Sequence, residues 1–205
     1  MVHKVKIRNM VNSDIPSVVS IHQTAFLGFF LERMGPSFLY EYYSIVLAYP
    51  RSICLVAESD QNKISGFVVG FVEPTFFRTF LRTKTIKLIP SILLGIIRSP
   101  KIILSIFRNI VRVNRSSNEN ENALCELSSI AVCPKNKGVG RDLLSVFVAK
   151  AWAMQCLEVR LTTDTDNNKK VHEFYLKNNF SVLKHEQRVD RNMTFYVLKN
   201  TTVAE

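Results

Sequence analysis

With 205 residues, 47% of them hydrophobic and 21% charged, the chain has the make-up of a folded globular protein with room for one good core and little for a second. Its opening residues, MVHKVKIRN, lack the apolar stretch of a signal peptide, and Cys54, Cys125, Cys133 and Cys156 lie apart in apolar segments with no Cys-x-x-Cys pair, which argues for buried free thiols in a reducing cytoplasm and against a disulfide framework or zinc site. The net charge of +10 is local: between Glu73 and Glu119 there is no acid but nine cations (Arg78, Arg82, Lys84, Lys87, Arg98, Lys101, Arg108, Arg112, Arg115), and the rest of the chain sums to about +1.

In chain order, Lys4–Arg8 alternates as a short strand, and Asn12, Ser13 and Asp14 offer N-cap side chains for a helix to about Phe26. Phe29–Met34 reads as a second helical piece stopped at Gly35, and Pro36 suits the first turn of a helix over Ser37–Ala48, ending before Pro50. Ile53–Glu58 and Ile64–Glu73 form a predicted hairpin around Ser59–Lys63. In the basic stretch, Ser91–Arg98 and Pro100–Val113 are helical by pattern, each with a wide apolar face, and Asn114–Asn122 is a polar loop. Leu124–Val132 is a strand, Gly138–Met154 a helix, Glu158–Thr163 a strand, Lys169–Lys177 a helix, and Ser181–Arg188 with Met193–Leu198 a last strand pair. Strand, helix and strand at this spacing imply a right-handed βαβ crossover.

The segment richest in chemistry runs from Ile130 to Leu144. A strand ends at Pro134, a basic loop with Gly138 and Gly140 follows, and an amphipathic helix begins. Such a turn aims consecutive backbone N–H groups and the positive end of a helix dipole at one point, and Lys135, Lys137 and Arg141 add formal charge. A pyrophosphate cradle and a plain strand-to-helix turn with solvated lysines both fit these residues alone. The spacing is neither that of a P-loop nor that of a dinucleotide-binding fingerprint.

Val132-Cys133-Pro134 followed by Lys135-Asn136-Lys137-Gly138-Val139-Gly140 resembles the coenzyme A signature of the GNAT acetyltransferase superfamily, with Lys135 where Gln or Arg is usual. Asn168 to Phe180, with Phe174-Tyr175 inside it, resembles that family's second signature; Asn179 stands in place of Gly, and Asn is the next-best residue for a left-handed helix end. The resemblance covers residues 124–198, and the first 73 residues agree with the family in element order. The resemblance implies an α/β fold with a central, mixed, strongly twisted sheet flanked by helices. All 205 residues would form a single domain, with a helical insertion at about 75–115 before the cofactor-binding strand and a flexible loop at about 114–122.

It also implies an N-acetyltransferase that moves an acetyl group from acetyl-CoA to a primary amine by direct attack, without a metal. By the same resemblance, Ile130, Ala131 and Val132 supply backbone to the pantetheine arm, the Ile130 N–H polarises the thioester carbonyl, and residues 135–141 (Lys135, Asn136, Lys137, Gly138, Val139, Gly140, Arg141) hold the pyrophosphate. Tyr175 matches the tyrosine that protonates the departing thiolate, and Asn168 a residue that contacts the cofactor arm; a helix N-cap is the competing role for Asn168. Glu126 is the candidate base, with a strand-edge ion pair as its competing role; alternation puts it on one face with Ser128 and Ile130 unless a bulge intervenes. His172 reads as a surface histidine, and His3, His22 and His185 carry no constellation.

The basic insertion has several competing readings: a lid packed on the core, a homodimer surface, a contact with an anionic membrane, or a contact with an anionic acceptor. Nucleic-acid binding is not expected, because the cations are interleaved with aliphatic residues, and Pro90, Arg98, Pro100 and Lys101 interrupt any transmembrane span. The N-terminal half and the insertion look like GNAT proteins of bacterial surface-polysaccharide synthesis. That likeness points to an amino-sugar acceptor, nucleotide- or lipid-linked; the free thiols imply a cytoplasmic protein, to which the basic insertion offers a peripheral contact with the inner membrane. A non-catalytic acyl-CoA sensor or scaffold, and a protein or peptide amine acetyltransferase, are the alternatives.

Overall fold

The computed structural model describes residues 5–84, 88–89, 123–133, 138–188 and 191–202. The helices expected at Ser91–Arg98 and Pro100–Val113, the loop at 114–122, and Pro134, Lys135, Asn136 and Lys137 of the cradle motif lie outside these residues.

The described chain forms seven strands: β1 (Val5–Asn9), β2 (Ser52–Ser59), β3 (Ile64–Val72), β4 (Leu124–Val132), β5 (Glu158–Asp164), β6 (Ser181–Gln187) and β7 (Asn192–Lys199). Six α-helices accompany them among the described residues: α1 (Ile15–Ala25), α2 (Phe30–Arg33), α3 (Pro36–Ala48), α4 (Pro74–Thr83), α5 (Val139–Ala153) and α6 (Lys169–Lys177). The strands make one mixed sheet in the order β1-β2-β3-β4-β5-β7-β6, antiparallel everywhere except between β4 and β5. Parallel neighbours need a crossover, and α5 provides it, as the strand–helix–strand spacing predicts.

Two apolar layers sandwich the sheet. On one face Val56, Phe67, Val69 and Phe71 pack against Ile15 and Val18 of α1, Leu39, Tyr43 and Val46 of α3, and Phe77 of α4. On the other, Leu55, Val68, Val72, Cys125 and Val159 meet Leu143, Leu144 and Phe147 of α5 and Tyr175 of α6. β2 and β3 are buried on both faces, which explains their near-continuous runs of β-branched and aromatic residues. Gly66 and Gly70, four apart on β3, lie beneath α5: a Cβ on Gly66 would meet Leu143 Cδ1 at 3.2 Å and one on Gly70 would meet Phe147 Cζ at 2.5 Å. Helix and sheet therefore approach more closely than any side chain at these two positions would permit.

Local chemistry sets the ends. Arg8 forks between Asp14 (Nη1–Oδ2 2.7 Å) and Glu58 (Nε–Oε2 3.0 Å), tying β1 to both the start of α1 and β2. At the end of α6, Phe180 N–H donates to the Tyr175 carbonyl (3.1 Å) and Asn179 N–H to that of Leu176 (3.1 Å), with Asn179 at φ 65°. This is a Schellman closure, sealed by the Phe180 and Tyr175 rings at 5.6 Å, and Asn179 takes the left-handed conformation expected of it.

The structure adds an element and adjusts others. α4 falls within the helical insertion expected at about 75–115, ahead of the two helices drawn there; it starts at Pro74 after Glu73, which adopts φ 57°, and it docks through Phe77, stacked on Phe71 at 3.8 Å. Of the four cysteines, all unpaired, Cys133 is half-buried rather than buried. Among the described residues no helix is long and apolar enough to cross a membrane.

Candidate functional site

β4 changes partner halfway along its length. Against β5 it pairs only at Leu124↔Glu158, Cys125↔Val159 and Glu126↔Arg160, so from Leu127 onwards the two parallel strands part. Against β3 it stays paired to Val132, with a register shift between Val69 and Gly70 that leaves Ser128 as an extra residue: Gly70 faces Leu127 and Val69 faces Ser129. A bulge of this kind turns the strand and breaks its alternation. Gly70 makes room for it, since a Cβ there would overlap the Glu126 carbonyl oxygen.

The bulge corrects the expected side-chain pattern. Cys125 and Leu127 belong to the α5/α6 layer, so Glu126 between them points to the α1/α3 face. Ser128 is on the Glu126 side as expected, within 3.1 Å of the Tyr42 hydroxyl of α3. Ile130 is not: past the bulge it joins the α5/α6 layer with Val132, and Ala131 joins the opposite one. Cys133 N–H donates to the Ser65 carbonyl at 2.8 Å. By strand alternation Ala131 then directs its N–H and C=O to β3, and Ile130 and Val132 direct theirs to the edge that β5 has left.

Glu126 stands where the strands part. Its side chain is 40% exposed, and Oε2 lies 3.8 Å from Nη2 of Arg78 on α4, the first cation of the basic stretch. Tyr42, beside Ser128, has its hydroxyl pushed up to about 12, chiefly by burial.

Downstream of β4, Gly138 opens α5 with φ 91°, a conformation that suits glycine, and no described side chain caps this helix. Its first N–H groups are thus donors without an intrahelical partner. Arg141 is exposed on the first turn, its N–H donating to the Gly138 carbonyl at 2.9 Å. Val139 is buried in the core. A Cβ on Gly140 would have Phe174 and Val132 at 3.8 Å, ordinary contact, so this glycine brings the helix start close to β4 and α6.

On α6, Tyr175 is 5% exposed, its ring packed edge-on to Phe174 (5.2 Å) and Phe180 (5.6 Å) and tilted against Tyr196 (5.6 Å). Burial, and secondarily Tyr196, raise its hydroxyl well above the ordinary tyrosine value, so it stays protonated throughout the neutral range. Asn168 occupies the N-cap position but its side chain does not cap; Nδ2 donates to Thr163 Oγ1 (2.8 Å) and the Asp164 carbonyl (3.2 Å), back onto β5. His172 is not a surface histidine. It is half-buried, with Nδ1 2.6 Å from the Tyr196 hydroxyl and Nε2 3.0 Å from the Thr165 carbonyl.

Sequence reasoning missed Gly70, Tyr42 and Tyr196. Two glycines four residues apart in an otherwise bulky strand were the available signal for Gly70. The others acquire their partners only through the sheet. Among the described residues no group of three His, Cys, Asp or Glu side chains is placed to hold a metal.

A sequence model described as the acetyltransferase (GNAT) family matches residues 15–180. No curated protein matches the sequence. Among solved structures, the Salmonella typhimurium protein yncA with its cofactor acetyl-CoA superposes with a TM-score of 0.63 at 15% identity, covering 96% of this chain and 94% of that one. Ard1 from Thermoplasma volcanium gives a TM-score of 0.60 at 18% identity, covering 95% and 97% of the two chains. The ribosomal-protein-S18-alanine N-acetyltransferase from Escherichia coli gives 0.59 at 13% identity, covering 96% and 94%. At these identities the likeness is one of fold.

Proposed function

The chain belongs to the GNAT acetyltransferase family and is an acetyl-CoA-dependent acyltransferase; from that premise we propose that it acetylates a primary amine by direct attack, using Glu126 as base and Tyr175 as acid. The observation that carries this reading is the opened edge of β4. The bulge sends Glu126 to one face of the sheet and leaves Ile130, Val132 and Tyr175 in the layer on the other.

Acetyl-CoA supplies the activated acyl group. Its pantetheine arm would run along the edge of β4 as a substitute strand, bonded by the backbone of Ile130 and Val132. The uncapped N–H groups at Gly138–Gly140 fit a pyrophosphate, an anion at the positive end of a helix, with the Arg141 side chain beside them. Glu126 takes a proton from the acceptor ammonium, the freed amine adds to the thioester carbon, and the Ile130 N–H stabilises the carbonyl oxygen as charge builds there. As the C–S bond breaks, the Tyr175 hydroxyl gives its proton to the sulfur; the new amide nitrogen sheds its second proton, which restores the phenol, and the proton held by Glu126 passes to solvent. Burial keeps the phenol neutral, so its proton is in place when the thiolate forms.

The acceptor, in this reading, carries negative charge close to its amine: an amino sugar, nucleotide- or lipid-linked. An ammonium approaching Glu126 also approaches Arg78, 3.8 Å away, and an anionic group on the same molecule offsets that repulsion. The acid-free run of cations that starts at Arg78 supports the same preference. The test is CoA release from acetyl-CoA across a panel of amino-sugar nucleotides, neutral amino sugars, polyamines and peptides. Turnover should be highest with the anionic amino sugars. Equal or better turnover of polyamines would overturn the acceptor class, and no release with any amine would overturn the transfer reading.

A further inference from the structure

His172 and Tyr175 lie three residues apart on α6 and so share one face of that helix. Both ring nitrogens of His172 are engaged, and the partners fix the tautomer. The Thr165 carbonyl can only accept, so Nε2 carries the hydrogen of that 3.0 Å bond. In that tautomer Nδ1 carries no hydrogen and accepts from the Tyr196 hydroxyl at 2.6 Å. Thr165 is itself held from β7 and β6. Its N–H donates to the Asn192 carbonyl (2.8 Å), and its hydroxyl lies 2.8 Å from that of Thr194, which His185 Nδ1 approaches at 3.1 Å.

The result is a chain of polar contacts from β6 through β7 and the β5–α6 turn that ends on Tyr196. Tyr196 is 2% exposed, and its ring lies 5.6 Å from that of Tyr175 at an interplanar angle of 38°. With its proton committed to His172, Tyr196 turns only lone-pair density to its other neighbours. Its ring is one of the three aromatic walls around Tyr175; the other two, Phe174 and Phe180, have no polar group to orient them.

We infer that His172 is a positioning residue for the transfer step: through its hydrogen bond to Tyr196 it holds the wall that aims the Tyr175 hydroxyl. The inference rests on Tyr175 being the general acid, and the test separates the two. Kinetics are compared for Tyr196→Phe, His172→Phe, His172→Gln, Tyr175→Phe and the double variants that combine Tyr175→Phe with each of the first two, with acetyl-CoA affinity measured by calorimetry. Tyr196→Phe and His172→Phe should each lower kcat by about ten- to a hundred-fold at unchanged acetyl-CoA Kd, the scale on which small misplacements act. His172→Gln, whose amide can donate to Thr165 and accept from Tyr196, should recover most of that loss. In the Tyr175→Phe background both changes should become silent, since a residue acting through another has nothing left to position.

Additive losses in the double variants, or wild-type kcat in Tyr196→Phe, overturn the inference while leaving Tyr175 as the acid. Wild-type kcat in Tyr175→Phe overturns both. If His172→Phe fails to fold, Tyr196→Phe, which removes a single oxygen atom, decides the matter alone.

Discussion

Replacing Gly70 by alanine adds one methyl group at the point where β3, the bulge of β4 and α5 converge. The new Cβ would overlap the Glu126 carbonyl oxygen and stand 2.5 Å from Phe147 Cζ and 2.8 Å from Cε2. Phe147 is fully buried and anchors α5, so the ring cannot swing aside without opening the layer beneath it. Overpacking of this kind costs about 1–3 kcal/mol. For a chain of this size each kcal/mol lowers Tm by about 2–4 °C, which makes the expected fall roughly 2–12 °C. The displaced atom belongs to the candidate base, so kcat should drop as well. Gly66→Ala is the internal comparison: its nearest neighbour would be a side-chain methyl, Val132 Cγ1 at 2.8 Å, with the Ala131 carbonyl oxygen at 3.0 Å, and it should cost less. Thermal unfolding by circular dichroism and steady-state CoA release measure both effects. A Gly70→Ala protein with wild-type Tm and kcat, or one less affected than Gly66→Ala, would refute the account of the bulge.

Tyr175→Phe should lower kcat by roughly 10²- to 10⁴-fold, the usual yield of a general acid, with acetyl-CoA affinity intact by calorimetry. Gly138→Ala forces a side chain into φ 91° and should cost about 1–2 kcal/mol in denaturant unfolding, whereas Gly140→Ala, with no atom nearer than 3.8 Å to its Cβ, should leave stability unchanged. His22 is buried and held down to about 4 from an ordinary 6.5, so the unfolded chain binds the extra proton first. Stability should therefore fall as pH drops from about 6.5 to about 4, by up to about 1.4 kcal/mol per pH unit, and His22→Gln should flatten that part of a Tm–pH profile. Exchanging Arg98, Lys101, Arg108 and Arg112 for Gln should raise KM for an anionic acceptor and weaken its salt dependence, with acetyl-CoA affinity constant; unchanged acceptor kinetics would remove the basic stretch from substrate recognition.

The strands and helices of the C-terminal half were readable because each is bounded by its own local signal. Leu124–Val132 and Lys169–Lys177 coincide with β4 and α6, and the left-handed turn at Asn179 follows from the residue itself. What sequence could not supply was anything settled across the sheet. The bulge at Ser128 depends on Gly70, far upstream on the neighbouring strand, and nothing in Leu-Ser-Ser-Ile announces it. Simple alternation would put Ile130 on the Glu126 face, and the bulge is the exception that moves it to the other. His172 passed for a surface residue because its two partners lie on other elements. α4 falls inside the helical insertion expected at about 75–115, yet its own bounds went undrawn although Phe77, Phe80 and Leu81 recur at helical spacing; what the sequence could not supply was the partner of Phe77, Phe71 on β3.

The seam between β4 and β5 has a consequence for how the molecule opens. Three residue pairs join these strands, whereas every other neighbouring pair is joined by at least five. Hydrogen exchange in the free protein would then divide the sheet into two cooperative blocks, β1–β4 and β5-β7-β6, each able to open without the other. A ligand bonded along the β4 edge and packed against α6 spans both blocks and makes their openings one event. Protection gained on binding would therefore spread to the amides of β7 and β6, strands that the ligand never touches, and the acyl donor would serve the apoprotein as a missing stretch of its own backbone.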